Sequence, residues 1–229
     1  MSDPGSGMFG TVVTAFRRLD RALFGRLFDQ YPRLLEREVL GSCRTLLDPG
    51  CGFDSPVAAF SSRLERTVGV DSFELALAAG RARGIHGESR RMHVLEAEAH
   101  FGPRSFDCVL ASDVIEHLTR EDGERLIGIM ERLARRKVVV FTPNGFLPQR
   151  AYEGNPHQEH LSGWTAAEMR ARRYRVTGVR GWKPLRGELA KPVWRPHPVW
   201  ARVSALTQPF FESRPERAFQ ILCVRDLPA

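Results

Sequence analysis

Two acidic residues that each close a predicted buried strand are the residues best placed to bind a charged ligand. Asp48 ends the run RTLLD and opens into Pro-Gly-Cys-Gly, and Asp71 ends the run TVGVD, 23 residues later. Gly50 and Gly52 let the backbone approach a small molecule, because glycine has no Cβ and tolerates φ > 0. A carboxylate beside this turn would repel the pyrophosphate of a dinucleotide and attract a ligand that carries a cation.

The glycine turn is predicted to lead into a helix near residues 56–64. Ser55 is a favourable N-cap and Pro56 a favourable first helical residue, so the free N–H groups of this helix would point at the same ligand. A Gly-x-Gly turn occurs in nucleotide-binding folds of many chemistries. A strand and turn in some other α/β protein therefore remains an alternative interpretation.

Residues 46–52, LLDPGCG, resemble motif I of the class I SAM-dependent methyltransferases, and the chain looks like a member of the type 11/12 group. The resemblance implies S-adenosylmethionine (SAM) as cofactor, with Asp48, Gly50, Cys51 and Gly52 around its methionine end. Many members carry a third glycine where this chain has Asp54. Asp54 is then a candidate to face the methionine ammonium, and the loop is expected to be stiffer or differently placed.

The resemblance also assigns the rest of the cofactor site. Asp71 and Ser72 are expected at the ribose, although an acid there suits any adenosine ligand, NAD included, and is also explained as a helix N-cap. Glu96 and Ala97 are expected near the adenine amino group, with Glu98 nearly as good a match. The strand SFDCVLA ends in residues that the family places at the methionine end of the cofactor and the substrate entrance, namely Ala111, Ser112 and Asp113.

His117 and His160 are the candidate catalytic residues. His117 stands four residues after Asp113 on the next predicted helix and would face the same side. His160 lies on the Pro- and Gly-containing loop 142–165, which leaves the fifth strand at its carboxyl end. Either histidine could act as a base towards a hydroxyl acceptor or could hold the loop by a hydrogen bond. Four other histidines show no comparable context: His86, His93, His100 and His197.

The same segment resembles a known metal-binding set. Asp113-x-x-Glu116-His117 with a distant His160 is similar to the Glu-x-x-Glu-His and His ligands of ubiquinone-pathway O-methyltransferases and small-RNA 2′-O-methyltransferases. Here the first ligand is Asp, and Glu116 is also explained as a solvent-facing residue. The prediction is therefore a site with no metal, with divalent-ion binding as the alternative.

Length and composition indicate a single domain of ordinary size in a reducing compartment. The 229 residues suit a single α/β domain, and the four cysteines are scattered without metal-like spacing. No apolar run approaches the roughly 20 residues that cross a bilayer, and no secretory signal pattern opens the chain. A cytoplasmic protein without a transmembrane segment is expected.

The positive charge is concentrated in the last two fifths of the chain. Residues 1–136 hold 19 Lys and Arg against 20 Asp and Glu, whereas residues 137–229 hold 15 against 7. This excess indicates a substrate side that attracts an anion, such as a phosphate, a carboxylate or a nucleic-acid backbone. Because nearly all of the basic residues are Arg, the base composition of the source genome is an equally good explanation.

Alternating strand and helix patterns predict a doubly wound, seven-stranded, mostly parallel sheet in a single domain of the Rossmann-like methyltransferase type. An amphipathic helical cap is predicted over residues 8–40, broken at Tyr31-Pro32, which either packs over the cofactor site or adheres to a membrane. The core spans 44–182, with a third strand near 91–96, and the final strand spans 218–225. Between them, residues 183–217 are predicted to be irregular because of their prolines, and to serve as a lid or interaction flap.

The predicted function is SAM-dependent methyl transfer to an oxygen, and less readily a nitrogen, of a small, lipid-linked or glycan-linked anionic acceptor. RNA methylation is an alternative because of the basic C-terminal part, although nucleic acid is not the favoured partner. The Asn/Asp-Pro-Pro-aromatic motif of base-amine methyltransferases is missing, since ASDV stands after the fourth strand. A non-catalytic SAM-fold binding protein is the third interpretation. Neither the acceptor nor the oligomeric state is encoded in a residue spacing.

Overall fold

A computed structural model of the chain describes residues 30–151 and 158–228. One seven-stranded sheet with the order β3-β2-β1-β4-β5-β7-β6 organises these residues. The strands are β1 Thr45–Pro49, β2 Arg66–Asp71, β3 Glu88–Arg91, β4 Phe106–Ser112, β5 Ala134–Pro143, β6 Arg175–Trp182 and β7 Ala218–Asp226. Strands β1 to β5 pair in parallel, and β7 is antiparallel to both of its neighbours. The predicted fold class, including the final antiparallel strand, is confirmed.

Six α-helices lie around this sheet in the described part of the chain. They are α1 Gln30–Leu40, α2 Glu74–Ala82, α3 Ala97–His100, α4 Arg120–Leu133, α5 Ala166–Ala171 and α6 His197–Glu212. None of these helices is long and apolar enough to cross a membrane. The predicted amphipathic segment 8–28 lies outside the described residues, whereas the short helix predicted after it is α1.

Alternation along the strands divides the core into two layers. Leu46 and Leu47 are both fully buried but lie in different apolar clusters, because successive side chains of a strand point to opposite faces. One layer holds Leu126 of α4, and the other holds Leu35 of α1. Helices therefore cover both faces, which explains why the central strands read as continuous apolar runs.

Three local predictions are corrected by the structure. The segment 56–64 forms two 3₁₀ turns, Pro56–Ala59 and Ser61–Arg63, because Phe60 leaves helical geometry at φ −144°. The third strand is Glu88–Arg91, earlier than the predicted 91–96, and Val94–Glu96 is a 3₁₀ turn. The segment after β4 is also a 3₁₀ turn, Ile115–His117, so Asp113 and His117 do not share a helix.

The predicted irregular stretch 183–217 contains the sixteen-residue helix α6. Its prolines suggested a loop, but Pro198 lies in the first helical turn, where a missing N–H costs little. The helix packs closely on β6: Gln208 donates to Gly178 O and accepts from Gly181 N, each at 2.8 Å. Short 3₁₀ turns complete the stretch at Lys183–Leu185, Glu188–Ala190 and Pro215–Arg217.

Candidate active site

A cavity of about 720 Å³ opens at the carboxyl ends of the parallel strands. The lining includes the glycine turn after β1, the end of β2 and the segment after β4. Residues of α1, of the loop after β5 and of the stretch after β6 also contribute to it. This edge is where open α/β sheets bind ligands, because the loops that follow neighbouring strands converge there. The cavity is large enough for a cofactor and an acceptor together.

The turn after β1 requires both of its glycines. Gly50 and Gly52 have φ values of 76° and 57°, a region that costs side-chain-bearing residues energy. A Cβ on Gly50 would lie 2.6 Å from Val114 Cγ2, so a larger residue would push the segment after β4. The turn is fixed to β2 by Cys51 N, which donates to Val70 O at 3.0 Å.

Asp48 is buried at the floor of the cavity and is held by two side chains. Ser55 Oγ donates to its Oδ2 at 2.6 Å, and His86 Nε2 lies 2.9 Å from the same oxygen. Gly69 makes room for the imidazole, since a Cβ there would lie 2.7 Å from His86 Nδ1. The sequence analysis did not identify His86 because it lies 38 residues from Asp48. The pairing of β2 with both β1 and β3 brings the two side chains together.

Asp71 lines the cavity at the end of β2 and also shapes the glycine turn. Its Oδ2 accepts a hydrogen bond from Gly52 N at 2.9 Å, and its Oδ1 accepts one from Phe73 N at 2.8 Å. Each carboxylate oxygen has a second lone pair for a ligand hydroxyl. Ser72 lines the same wall. Asp54, at the position of the missing third glycine, is exposed and forms an ion pair with Arg83.

Glu96 and Ala97, the residues expected at the adenine, do not line the cavity, but two residues just before them do. His93 and Val94 line the cavity, whereas Glu96 accepts from His93 N at 3.1 Å and Ala97 is fully buried in the core. Glu98 is turned to Arg132 at the surface. The capping box formed by His93 and Glu96 is a local pattern that could have placed His93 here. Ala111 is likewise buried below the cavity, and Ser112 reaches it.

Tyr31 of α1 forms part of the wall next to Ser112, although the sequence marked it only as a helix break. Its ring stacks on Phe141 with centroids 3.6 Å apart, and its hydroxyl donates to Ser112 Oγ at 2.8 Å. Burial raises the pKa of Tyr31 well above its ordinary value, so the phenol stays neutral. Gln30 and Pro32 also line the cavity, so the first turn of α1 forms part of its wall.

Two arginines from the basic part of the chain line the cavity opposite the glycine turn. A bulge in β6 between Val179 and Trp182 gives Arg180 a φ of 62° and turns its side chain away from the regular strand direction. Arg186 donates to Ser204 Oγ at 2.9 Å and to Ala190 O at 2.7 Å. Burial, and then repulsion by Arg180, lowers the pKa of Arg186 to about 10, so Arg186 stays charged at neutral pH.

Two carboxyl groups, those of Asp113 and Glu116, also line the cavity. Asp113 has a φ of 53° and accepts from Gln220 Nε2 at 2.7 Å, while Glu116 accepts from Thr142 Oγ1 at 3.0 Å. Burial raises the pKa of Glu116 well above its ordinary value, and the nearby Asp113 raises it further. Glu116 is only 2% exposed, so its interpretation as a solvent-facing residue is wrong.

His117 and His160 meet at this end of the cavity. Their ring centroids are 4.7 Å apart, His160 Nδ1 is 2.6 Å from Leu147 O, and His117 Nδ1 is 3.0 Å from Glu159 O. Burial lowers the pKa of His160, which favours the neutral imidazole. Donor atoms of Glu116, His117 and His160 lie within 4.8 Å of one another, and Glu116 Oε1 has no hydrogen-bond partner in the described structure. This donor set fits a divalent ion.

Comparison with known proteins agrees with the observed sheet. Residues 47–142 match the family model of a methyltransferase domain. No curated protein matches the chain. Among solved structures, a SAM-dependent methyltransferase from Archaeoglobus fulgidus is 18% identical with a TM-score of 0.55, over 90% of this chain and 98% of that chain.

Two further structures have the same fold at low identity. The methyltransferase domain of bacterial CtHen1-C is 16% identical with a TM-score of 0.57, over 89% of this chain and 100% of that chain. The 1,6-didemethyltoxoflavin-N1-methyltransferase of Burkholderia thailandensis, with bound S-adenosylhomocysteine, is 15% identical with a TM-score of 0.53, over 100% of this chain and 92% of that chain.

The sheet order is that of the class I methyltransferase fold, and residues 47–142 within it match a methyltransferase domain. Together these findings support an enzyme of the SAM-dependent methyltransferase type, with S-adenosylmethionine as its cofactor. These predictions from the sequence are confirmed.

Proposed function

We propose that the enzyme transfers a methyl group to an oxygen of a small acceptor that carries an anionic group. Arg180 and Arg186 support this proposal most directly, because both line the cavity and neither forms a salt bridge with a described carboxylate. Asp113 interacts electrostatically with Arg180, so Arg186 is the guanidinium group in this partly desolvated wall that most favours a carboxylate or phosphate ligand. The finer identity of the acceptor, small, lipid-linked or glycan-linked, belongs to the same proposal.

The cofactor end of the proposed site follows the glycine turn. Asp48, Gly50, Cys51 and Gly52 would surround the methionine part of SAM, with Asp71 and Ser72 at its ribose. Ser112 would lie near the sulfonium. Glu96, Ala97 and Ala111 would not contact the cofactor and would only hold the residues that line the cavity in place. His93 and Val94 then take the adenine position, because they are the residues of that segment that line the cavity.

Methyl transfer from a sulfonium depends mainly on alignment. Holding the methyl donor and the acceptor in line lowers the activation free energy by about 7 to 11 kcal/mol. A hydroxyl acceptor gains roughly a further 10²- to 10⁴-fold from a base. His117 and His160 are the proposed bases, since both rings line the cavity and His160 is biased towards its neutral form.

A binding experiment tests the cofactor assignment, and a paired-substrate assay tests the acceptor class. Calorimetry should show S-adenosylhomocysteine binding and much weaker NAD binding.

Arg186→Ala should raise KM for an acidic acceptor about tenfold or more, while KM for a neutral ester of the same acceptor should stay nearly unchanged. Arg217→Ala, an exposed arginine outside the cavity, is the matched control. Equal loss on both acceptors would contradict the role of Arg186 in anion recognition.

A divalent-ion site is a second candidate, favoured by the Glu116, His117 and His160 cluster. These three side chains would hold the ion. When bound, the ion would coordinate the acceptor oxygen and lower the pKa of the acceptor hydroxyl. Mn²⁺ titration of the wild-type enzyme, read by calorimetry and by turnover, tests it, with His160→Ala as the disabled variant. Full activity in excess chelator would remove this candidate and leave the metal-free site predicted from the sequence.

RNA remains the alternative acceptor because of the basic C-terminal part. Steeply salt-dependent retention of RNA together with RNA methylation would replace the small-acceptor proposal. A cytoplasmic location stays a prediction, as do the domain boundaries.

A further inference from the structure

Helix α6 has an apolar face that no described residue covers. Val199, Leu206 and Phe210 are 48%, 54% and 68% exposed. Their spacing of seven and four residues puts them on one side of the helix. The opposite side is buried against β6 through Ser204, Ala205 and Gln208. The exposed face is therefore not a consequence of poor packing, since the helix already has a well-packed side.

The apolar face continues into the segment before the helix. Val193 and Trp194 are 55% and 45% exposed, and Trp194 contacts Trp200 with ring centroids 4.7 Å apart. Leu189 is also exposed and at the same time lines the cavity. We call the exposed apolar residues of this stretch the insert surface: Leu189, Val193, Trp194, Val199, Leu206 and Phe210.

The segment that carries the insert surface is rich in basic residues. Residues 183–217 contain seven Lys and Arg against three Glu, and Lys191 and Arg195 are exposed beside Val193 and Trp194. A two-fold contact between two copies would bring these positive charges together, which disfavours a dimer through this face. Aliphatic side chains with tryptophan and a basic border are instead typical of helices that lie in a membrane interface.

We propose that the insert surface docks on the headgroup region of a bilayer that contains anionic lipid. Val199, Leu206 and Phe210 enter the acyl boundary, the tryptophans lie at the headgroup level, and Lys191, Arg195 and Arg202 approach the lipid phosphates. The cavity then lies beside the bilayer, because Leu189 belongs to both. This inference is independent of the acceptor proposed above, since it concerns where the enzyme lies and is measured without turnover.

The test is sedimentation of the full chain with vesicles of phosphatidylcholine alone and with phosphatidylglycerol added. We expect binding to the anionic vesicles that weakens with salt, and little binding to the neutral ones. Leu206→Glu combined with Phe210→Glu should lower the partition coefficient at least about tenfold. Leu75→Glu, which changes a 65% exposed leucine on α2, is the matched control and should bind as the wild type does. Unchanged thermal unfolding and S-adenosylhomocysteine binding will show that the double variant is folded.

Four results would overturn the proposal. The wild type could stay in solution with anionic vesicles, or the double variant could bind them as well as the control does. Light scattering could instead show a wild-type dimer that the double variant converts to a monomer, which would assign the face to a second copy. Displacement of the protein from RNA, and not from vesicles, by these substitutions would assign it to nucleic acid.

Discussion

Asp48 shows how much a single residue in this site depends on distant partners. From the sequence, its carboxylate was expected to be available to a cationic ligand. In the structure, Ser55 and His86 both contact its Oδ2. With its proton on Nε2, the imidazole donates to the carboxylate and fixes its orientation, as the outer partners of a metal ligand do. His86 is therefore a positioning residue in the floor of the cofactor cavity.

Replacing His86 should weaken cofactor binding without removing it. In His86→Ala, Asp48 keeps Ser55 but loses one hydrogen bond to a charged group, so we expect the Kd of S-adenosylhomocysteine to rise about tenfold. Calorimetry measures this change. His100→Ala, at an exposed histidine of α3, is the control. The same Kd in both variants would show that the imidazole only fills space.

At the scale of secondary structure elements, glycines set how closely the helices approach the rest of the chain. Gly123 of α4 lies against Trp164, and a Cβ there would meet the Trp164 ring at 2.5 Å. Gly128 of the same helix would meet only the flexible end of Arg132, at 3.3 Å. The two positions have the same backbone geometry but different neighbours, so they separate packing from helix propensity.

Gly123→Ala should therefore destabilise the protein although alanine is the better helix former. We expect a loss of about 1 to 3 kcal/mol in the free energy of unfolding, because the fully buried Trp164 cannot move freely. Gly128→Ala should gain up to about 1 kcal/mol. Urea unfolding of both variants measures the difference. A gain at both positions would mean that the indole shifts at little cost.

Helix α1 is held to the sheet by Glu38. Arg175 of β6 donates to both of its carboxylate oxygens, at 2.9 and 2.8 Å, and Lys137 of β5 lies 3.6 Å away. Hydrogen bonding by Arg175 holds the pKa of Glu38 below its ordinary value of 4.5. A depressed folded-state pKa stabilises the fold above the unfolded pKa, and this contribution is lost as the pH falls through the folded value.

Glu38→Gln should lower the free energy of unfolding by about 1 kcal/mol at neutral pH, since one partner of the pair is exposed. The difference from the wild type should shrink as the pH falls below 4.5. Urea unfolding over a pH series measures it. Glu36 lies on the same helix and forms a more exposed ion pair with Arg63. Glu36→Gln should change the free energy of unfolding by only about a few tenths of a kcal/mol. A pH-independent difference would contradict the electrostatic origin.

At the scale of the whole molecule, the cavity is built from segments that span the described chain, from Gln30 to Gln220. The parallel strands bring the glycine turn, Asp71 and Ser112 to one edge, and β6 with the insert closes the other side. A ligand in this cavity therefore contacts most of the elements at once. Its binding free energy should add to the stability of the fold as a unit.

S-adenosylhomocysteine should accordingly raise the midpoint of thermal unfolding in a single transition. At a free concentration of 100 times Kd, the stabilisation should be about 2.7 kcal/mol. Asp71→Ala should lose most of this gain at the same ligand concentration, because the carboxylate holds the glycine turn through Gly52 N. Calorimetric scans with and without ligand measure both. No ligand-dependent change in the wild type would contradict the placement of the cofactor here.

The sequence by itself determined the sheet and the first half of the site. Buried strands, the glycine turn and the acids at the ends of β1 and β2 are local patterns, readable within about ten residues. For that reason the fold class was predicted correctly, whereas the final antiparallel strand and the cofactor were predicted from the resemblance to a known family. Where a local pattern is ambiguous, as for the 3₁₀ turns after Ser55 and the proline-containing helix α6, the prediction was wrong.

Only the tertiary structure decided which distant side chains meet. His86 reaches Asp48 across 38 residues, Tyr31 reaches Ser112 across 81, and Gln220 reaches Asp113 across 107. The bulge in β6 that turns Arg180 towards the cavity is likewise set by pairing with β7. Such contacts depend on the order and register of the strands, so no spacing along one segment of the chain could reveal them.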